Sequence, residues 1–390
     1  MADIFEVSHY NLHKSNEVVA GDTFLVNRTL DERLVATLAD GMGSGVKANV
    51  LSQLTACMSQ KFMMANVDTI HAAQTIMETL PVCSKRKLSY STLTSLNISP
   101  EGFVKLLEYD NPDLLWLRDG EFIEREKSLA HITTEHTRNK IYYSELQLEF
   151  GDRLVAYSDG VTQAGIGGRK FPLGWREDNV KSYIKSVLEE QGDISGKDLS
   201  RRIVEEACSI DESIAKDDIT CAVVYFRKAK NTLLLTGPPS KREKCPHLVE
   251  SYKKFDGVKI VAGGTTSQII SEGVSEELTV DMGDINSTIP PRAIMKSADL
   301  VTEGMLTINK VIKILENEET SNLIDTNAAY RMAEILLESD NIYILMGTAI
   351  NEAHQNPNMP VEMGLRRISI NKLAEILENK FLKKTTIEYV

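Results

Sequence analysis

Polar and apolar residues alternate from Asp31 to Asp40 (DERLVATLAD), which predicts a strand that delivers Asp40 at its end. Glycines follow. Then Val46, Val50, Leu51, Leu54, Met58 and Phe62 recur at helical spacing and predict an amphipathic helix with that stripe turned inward. A second helix starts beyond Asp68, a suitable N-cap, with Ile70, Ala73, Met77 and Leu80 on one face and Pro81 closing it. Short alternating runs come next: YSTLTSLNI, GFVKLLEYD, DLLWLRDGEFI and ELQLEFGDRLVAYSDG, separated by turns such as Arg118-Asp119-Gly120. Helical patterns over 178–190 and 197–209 and a last strand, DDITCAVVYF, complete this half. Strands grouped with paired helices predict an α+β layered domain.

The rhythm changes after Arg227 to Asn231 (RKAKN). Strands now run into glycine (TLLLTG, VKIVAGG, ADLVTEG, IYILMG) and are followed by helical patterns such as LTINKVIKILEN and AAYRMAEILLES. This predicts a smaller α/β domain with a parallel sheet. The expected domains are therefore residues 1–228 and 229–390, a natural division for 390 residues.

The net charge is −12, and both halves are acidic. A surface of that sign excludes nonspecific binding to nucleic acid or anionic membrane. The first ten residues hold no apolar segment of the signal-peptide kind, and no apolar run approaches the ~20 residues of a membrane span. The five cysteines, Cys57, Cys83, Cys208, Cys221 and Cys245, are scattered and form no C-x-x-C pair. They read as reduced thiols, and the expected location is the cytoplasm.

Candidate chemistry centres on LADGMGSG, Leu38 to Gly45. A nucleotide-binding loop of the G-x-x-x-x-G-K-[ST] type fails here, because Lys47 is one place late and Ala48 stands where a hydroxyl is needed. A dinucleotide fingerprint fails on its glycine spacing. The carboxylate reading gains from other strand ends: Asp22 in VVAGDTFLV, Asp159 in LVAYSDGV, and Asp217 with Asp218 in KDDITCAVV. One Asp-Gly is usually a turn. Four strand ends with acids in one domain suit hard divalent cations such as Mg²⁺ or Mn²⁺, which take oxygen ligands.

These motifs (VAGDTF, LADGMGSG, GDRLVAYSDGVTQA and DDITCAVV, in that order) resemble the metal-dependent protein phosphatases of type 2C. The similar branch is bacterial: the sporulation stage II E and stress-response serine phosphatases. The resemblance spans residues 1–228. It implies an α/β/β/α sandwich with two Mn²⁺ or Mg²⁺ ions at one end of two packed sheets. It implies that Asp40 bridges the metals, that Gly41 offers its carbonyl and Asp22 its carboxylate to one of them, and that Asp159 and Asp217 hold the other. The reaction it implies is hydrolysis of phosphoserine or phosphothreonine on a regulatory protein, such as an anti-sigma-factor antagonist, by a metal-bridged hydroxide. Related phosphatases often carry an Asn-Ala-Gly-His-type segment where this chain has Glu108 to Leu115, EYDNPDLL.

Other residues carry less. His9 and His13 are spaced for a helical metal pair but have no acidic or thiol partner beside them, and His131 and His136 read as surface residues. Lys85, Arg86 and Lys87 form a basic cluster that would suit a phosphoprotein, or a solvated loop. In VAGGTTSQII, Gly263, Gly264, Thr265 and Thr266 lie between a strand and a helix, where free N–H groups suit a small anion. Two alternatives stand beside the phosphatase: a silent scaffold of the same fold whose second domain binds an anionic ligand, and a second domain that is itself the catalyst. Oligomeric state is not legible from the sequence.

Overall fold

The computed structural model describes residues 3–80, 91–133, 138–280, 293–317, 327–349 and 360–390. It divides into two compact units, Ala2–Lys228 and Ala229–Val390.

In the first unit the strands are β1 (Asp3–Leu12), β2 (Asp22–Arg28), β3 (Leu34–Asp40), β4 (Leu93–Ile98), β5 (Phe103–Tyr109), β6 (Leu115–Arg118), β7 (Glu121–Ile123), β8 (Ser128–Thr133), β9 (Arg138–Gln147), β10 (Arg153–Tyr157) and β11 (Ile219–Lys228). The helices are α1 (Gly45–Met64), α2 (Thr69–Thr79), α3 (Asp159–Gln163), α4 (Arg176–Glu190) and α5 (Gly196–Ile210). The strands form two antiparallel sheets, ordered β1-β11-β10-β6-β7 and β2-β3-β4-β5-β9-β8. Alternation along β3 sets the layers. Leu34, Ala36 and Leu38 join Phe5, Leu106, Leu154 and Val224 between the sheets. Val35 faces the other way, with Met63, Ile76 and Met77 of α1 and α2. On the second sheet Val155, Tyr157, Cys221 and Val223 meet Ile184 of α4 and Ile203 of α5. The result is the expected α/β/β/α sandwich.

Two details differ from the sequence reading. β1 is a strand, so His9 and His13 do not form a helical pair; His9 lies against the Phe24 ring at 4.8 Å. Helix α1 is present, but only part of the expected stripe is turned inward: Met58 and Phe62 pack against the core beneath it. Val46, Val50 and Leu54 are exposed, while Ala48, Ser52, Thr55, Ala56 and Ser59 face the sheet. Small residues let α1 lie close on β2 and β3, and Thr23 and Ser52 share a hydrogen bond of 2.7 Å there. Asp68 caps α2 as expected, accepting from the N–H groups of Ile70 and His71. Asp119 and Gly120 both have positive φ, as a two-residue hairpin turn requires.

The second unit contains β12 (Asn231–Thr236), α6 (Cys245–Lys254), β13 (Val258–Ala262), α7 (Gly264–Val274), β14 (Thr279–Val280), β15 (Ala293–Ile294), β16 (Leu300–Thr302), α8 (Met305–Glu316), α9 (Ala328–Glu338), β17 (Asn341–Met346), α10 (Pro360–Phe381) and β18 (Lys384–Tyr389). Its sheet is ordered β14-β15-β16-β13-β12-β17-β18. From β16 to β18 the pairing is parallel, as expected, whereas β14 and β15 add an antiparallel edge. Among the described residues no helix is long and apolar enough to cross a membrane.

Candidate active site

β2 and β3 pair so that Asp22 lies directly opposite Asp40. Both stand at the same edge of their sheet because the strands are antiparallel and each acid is a strand terminus. From the other sheet, Asp159 opens α3 immediately after β10, and Asp217 precedes β11. Asp159 is thus the first residue of a short helix. The four acids lie close enough for their charges to interact. The Asp40 carboxyl is raised to about 9, first by burial and then by repulsion from Asp22, Asp159 and Asp217. Asp159 and Asp217 are raised as well, again by burial first.

Asp22 is the most enclosed of them, 4% exposed, and neither carboxylate oxygen has a hydrogen-bond partner. The neighbouring Thr220 hydroxyl is also buried and unpartnered. Burial, opposed by the nearby Thr220 and Ser158 hydroxyls and reinforced by Asp218 and Asp159, pushes the Asp22 carboxyl up to about 7. A carboxylate without hydrogen bonds in such a place is costly unless a proton or a cation joins it. The donor set of four acids, all oxygen ligands, fits Mn²⁺ or Mg²⁺. Among the described residues no group of three or more His, Cys, Asp or Glu side chains is drawn together closely enough to hold a metal ion as it stands.

The two acids of KDDITCAVV are not equivalent. Asp218 is buried, and its two oxygens accept from the backbone N–H groups of Lys14 and Gly21, each at 2.9 Å. It fastens the segments after β1 and before β2 to β11. Asp217 is partly exposed, accepts from its neighbour's N–H, and lies 4.0 Å from the Lys14 ammonium. Sequence reasoning did not identify Lys14, because its hydrogen bond to Asp218 joins residues 204 apart.

Gly41 is required by space. Its φ is not positive, but a Cβ there would lie 2.0 Å from the Ala48 carbonyl oxygen of α1. Gly43 and Gly45 do have positive φ, which carries the chain into the helix. Asp40 is held by its backbone: its N–H donates to Thr92 Oγ1 at 3.1 Å, and its carbonyl accepts from Thr92 N–H at 2.9 Å. Thr92 donates in turn to Asn111, which donates to Thr94. Asn111 belongs to the EYDNPDLL stretch, so that segment supports the Asp40 strand. Lys85, Arg86 and Lys87 lie outside the described residues. The loop after α3 carries two other exposed cations, Arg169 and Lys170. Gly263, Gly264, Thr265 and Thr266 belong to the second unit, at the start of α7.

The sequence model of the family described as stage II sporulation protein E (SpoIIE) matches residues 30–227. Stage II sporulation protein E of Bacillus subtilis (strain 168) is 24% identical over 212 residues, 54% of this chain and 24% of that protein. The chain thus covers about a quarter of the length of that curated relative. Among solved structures, the PP2C phosphatase domain with a regulatory fragment of SpoIIE from Bacillus subtilis aligns with TM-score 0.48 and 20% identity, covering 58% of this chain and 62% of that one. The RsbU and RsbW domains of a Mycobacterium tuberculosis protein align with TM-score 0.46 and 13% identity, covering 64% and 67%. The serine/threonine phosphatase of S. agalactiae aligns with TM-score 0.41 and 16% identity, covering 57% and 99%.

Proposed function

The chain belongs to the stage II sporulation protein E family, and on that premise we propose that its first unit is a Mn²⁺- or Mg²⁺-dependent phosphatase acting on phosphoserine or phosphothreonine of a regulatory protein. The observation that carries this reading is the Asp22 carboxylate, buried, without a hydrogen-bond partner and ringed by Asp40 and Asp159. Asp22, Asp40, the Gly41 carbonyl, Asp159 and Asp217 would hold the cations. When bound, two divalent cations activate water and neutralise charge on the phosphoryl group.

The chain's own residues do the rest. Thr92 and Asn111 fix the backbone of Asp40, so its carboxylate is presented from a rigid strand end. Asp218 ties Lys14 and Gly21 to β11, which keeps Asp22 and Asp217 in register across the two sheets. The Lys14 ammonium, beside Asp217 and partly exposed, supplies a cation at the rim for the dianionic phosphoester. Arg169 and Lys170 offer further positive charge to the phosphoprotein.

Of the finer proposals, one rests on the resemblance: the phosphoprotein is of the anti-sigma-factor-antagonist kind. That the enzyme acts in the cytoplasm rests on the scattered cysteines, and that residues 229–390 form a ligand-binding regulatory domain rests on their fusion to the phosphatase unit. Calorimetry with Mn²⁺ tests the core reading with a readout separate from activity. Wild type should bind Mn²⁺ and release phosphate from a phosphoserine peptide, and chelation should abolish both. Turnover that survives exhaustive chelation overturns the proposal.

A further inference from the structure

The second unit contains two strand-to-helix corners built alike. β13 runs into Gly263, the N-cap of α7, and β16 runs through Glu303 into Gly304, the N-cap of α8. The two cap glycines have φ of 131° and 128°, where side chains rarely fit. The corners touch: a Cβ added to Gly304 would lie 3.1 Å from the Gly263 α-carbon, and Gly263 N–H donates to the Thr302 carbonyl at 2.9 Å. β13 and β16 are parallel neighbours, with Ala262 opposite Thr302. Their helices nevertheless leave on opposite faces. Ile270 of α7 packs with Val261 and Val301, whereas Ile308 of α8 packs with Ile260 and Leu300. Adjacent parallel strands whose connections diverge in this way open a crevice beyond their carboxyl ends, where α/β sheets bind ligands.

Both helix starts are undersupplied with acceptors. Neither has a side-chain cap or an acid in its first turn. The first N–H groups of a helix have no partner within it. Beneath them lie three threonines. Thr266 and Thr307 are each the third residue of their helix and 0% exposed, and Thr302, the last residue of β16, is 4% exposed. None of the three hydroxyls has a hydrogen-bond partner. A buried helical threonine ordinarily donates to the carbonyl four residues back, as Thr55 does to Leu51 at 2.8 Å. Thr266 Oγ1 instead faces its own cap, 3.3 Å from where a Gly263 Cβ would sit. Leaving a buried hydroxyl unmatched is unfavourable, and here three such groups gather at the carboxyl ends of two neighbouring strands.

From this juxtaposition we infer that the second unit binds the phosphate group of a small phosphorylated molecule across the paired N-termini of α7 and α8. The donors are the N–H groups that open the two helices and the hydroxyls of Thr266, Thr302 and Thr307. Backbone N–H groups at helix starts favour such an anion. The entrance is open at Gly264, where an added Cβ would meet nothing within 4 Å. Among the described residues Glu303, exposed between the corners, is an acid that opposes the anion.

Hydrogen–deuterium exchange on the full chain tests this, using inorganic phosphate against chloride at equal ionic strength, with Asp40→Asn as background so that the first unit does not complicate the readout. Phosphate should slow exchange at least ~5-fold in peptides covering both corners, 263–267 and 304–308. Glu303→Gln should strengthen the protection. Gly264→Asp should abolish it, because a fixed carboxylate then occupies the helix start, and the open space there lets the variant fold. Thr266→Val with Thr307→Val should also abolish it without lowering the melting temperature, since each change removes an unmatched hydroxyl. Absence of protection in the wild-type corners overturns the inference, as does protection that persists in Gly264→Asp.

Discussion

Replacing Asp22 with asparagine should stabilise the metal-free protein, although it removes a proposed ligand. In the folded protein the Asp22 carboxyl is raised from 3.8 to about 7. The unfolded chain therefore loses this proton near pH 3.8, while the folded protein keeps it until near pH 7. Across that interval stability falls as pH rises, and above pH 7 the penalty is complete. At about 1.4 kcal/mol per pH unit, Asp22→Asn removes a penalty of at most roughly 4 kcal/mol at pH 8 and less than half of that at pH 5. For a unit of this size, that is a rise of up to ~8–15 °C in melting temperature at pH 8. The asparagine amide also brings a donor to the unpartnered Thr220 hydroxyl. Tryptophan fluorescence reads the first unit alone, because both tryptophans, Trp116 and Trp175, lie within it. Unfolding should be followed in chelator at pH 5 and pH 8, then with saturating Mn²⁺. Manganese should close most of that gap, since it stabilises wild type by about 3 kcal/mol at a hundredfold excess over Kd and the variant by little. The reasoning is refuted if metal-free Asp22→Asn is no more stable than wild type at pH 8, or if Mn²⁺ stabilises the two equally.

Asp40→Asn should lower metal-dependent turnover by at least ~10²-fold, about 2.7 kcal/mol in the barrier, while Asp119→Asn in the β6–β7 turn should leave it near wild type; equal effects would show that the strand-end acids are not the site. Lys14→Ala should raise KM for an aryl phosphate about 5-fold, roughly 1 kcal/mol of rim charge, with kcat little changed; a fall in kcat alone would place Lys14 elsewhere in the reaction. A chain ending at Lys228 should fold and keep basal phosphatase activity, because every β1 residue then retains its β11 partner, out to Asp3 opposite Lys228. Insolubility of that chain would show that the second unit completes the first.

The layered fold of the first unit was readable because β3 and its neighbours alternate cleanly and glycine marks their ends. The acids Asp22, Asp40 and Asp217 were readable as strand termini for the same reason. The face of α1 was not, because tight packing on β2 and β3 selects small residues: Ala48, Ser52 and Ser59 are buried, and hydrophobicity alone points to Val46, Val50 and Leu54. The division of labour between Asp217 and Asp218 was equally hidden, since it depends on backbone N–H groups of Lys14 and Gly21 far away in sequence. In the second unit the Gly263-Gly264 pair advertised one corner. Thr302 and Thr307 gave no such signal, and only the parallel pairing of β13 with β16 brings them beside it.

The pairing of β1 with β11 also sets an order of events during synthesis. The first strand made in this unit must wait, unpaired on that side, until the last strand has left the ribosome, because Asp3 to Leu12 have their partners in Ile219 to Lys228. Such long-range closure is slow and exposes a strand edge in the meantime. Asp218 sits at the head of that final strand, so Lys14 and Gly21 gain their anchor only at the same moment. A nascent chain stalled before residue 217 would hold the Asp22–Asp40 hairpin but neither Asp217 nor the anchor, so the four strand-end acids come together only once translation has passed beyond that final strand.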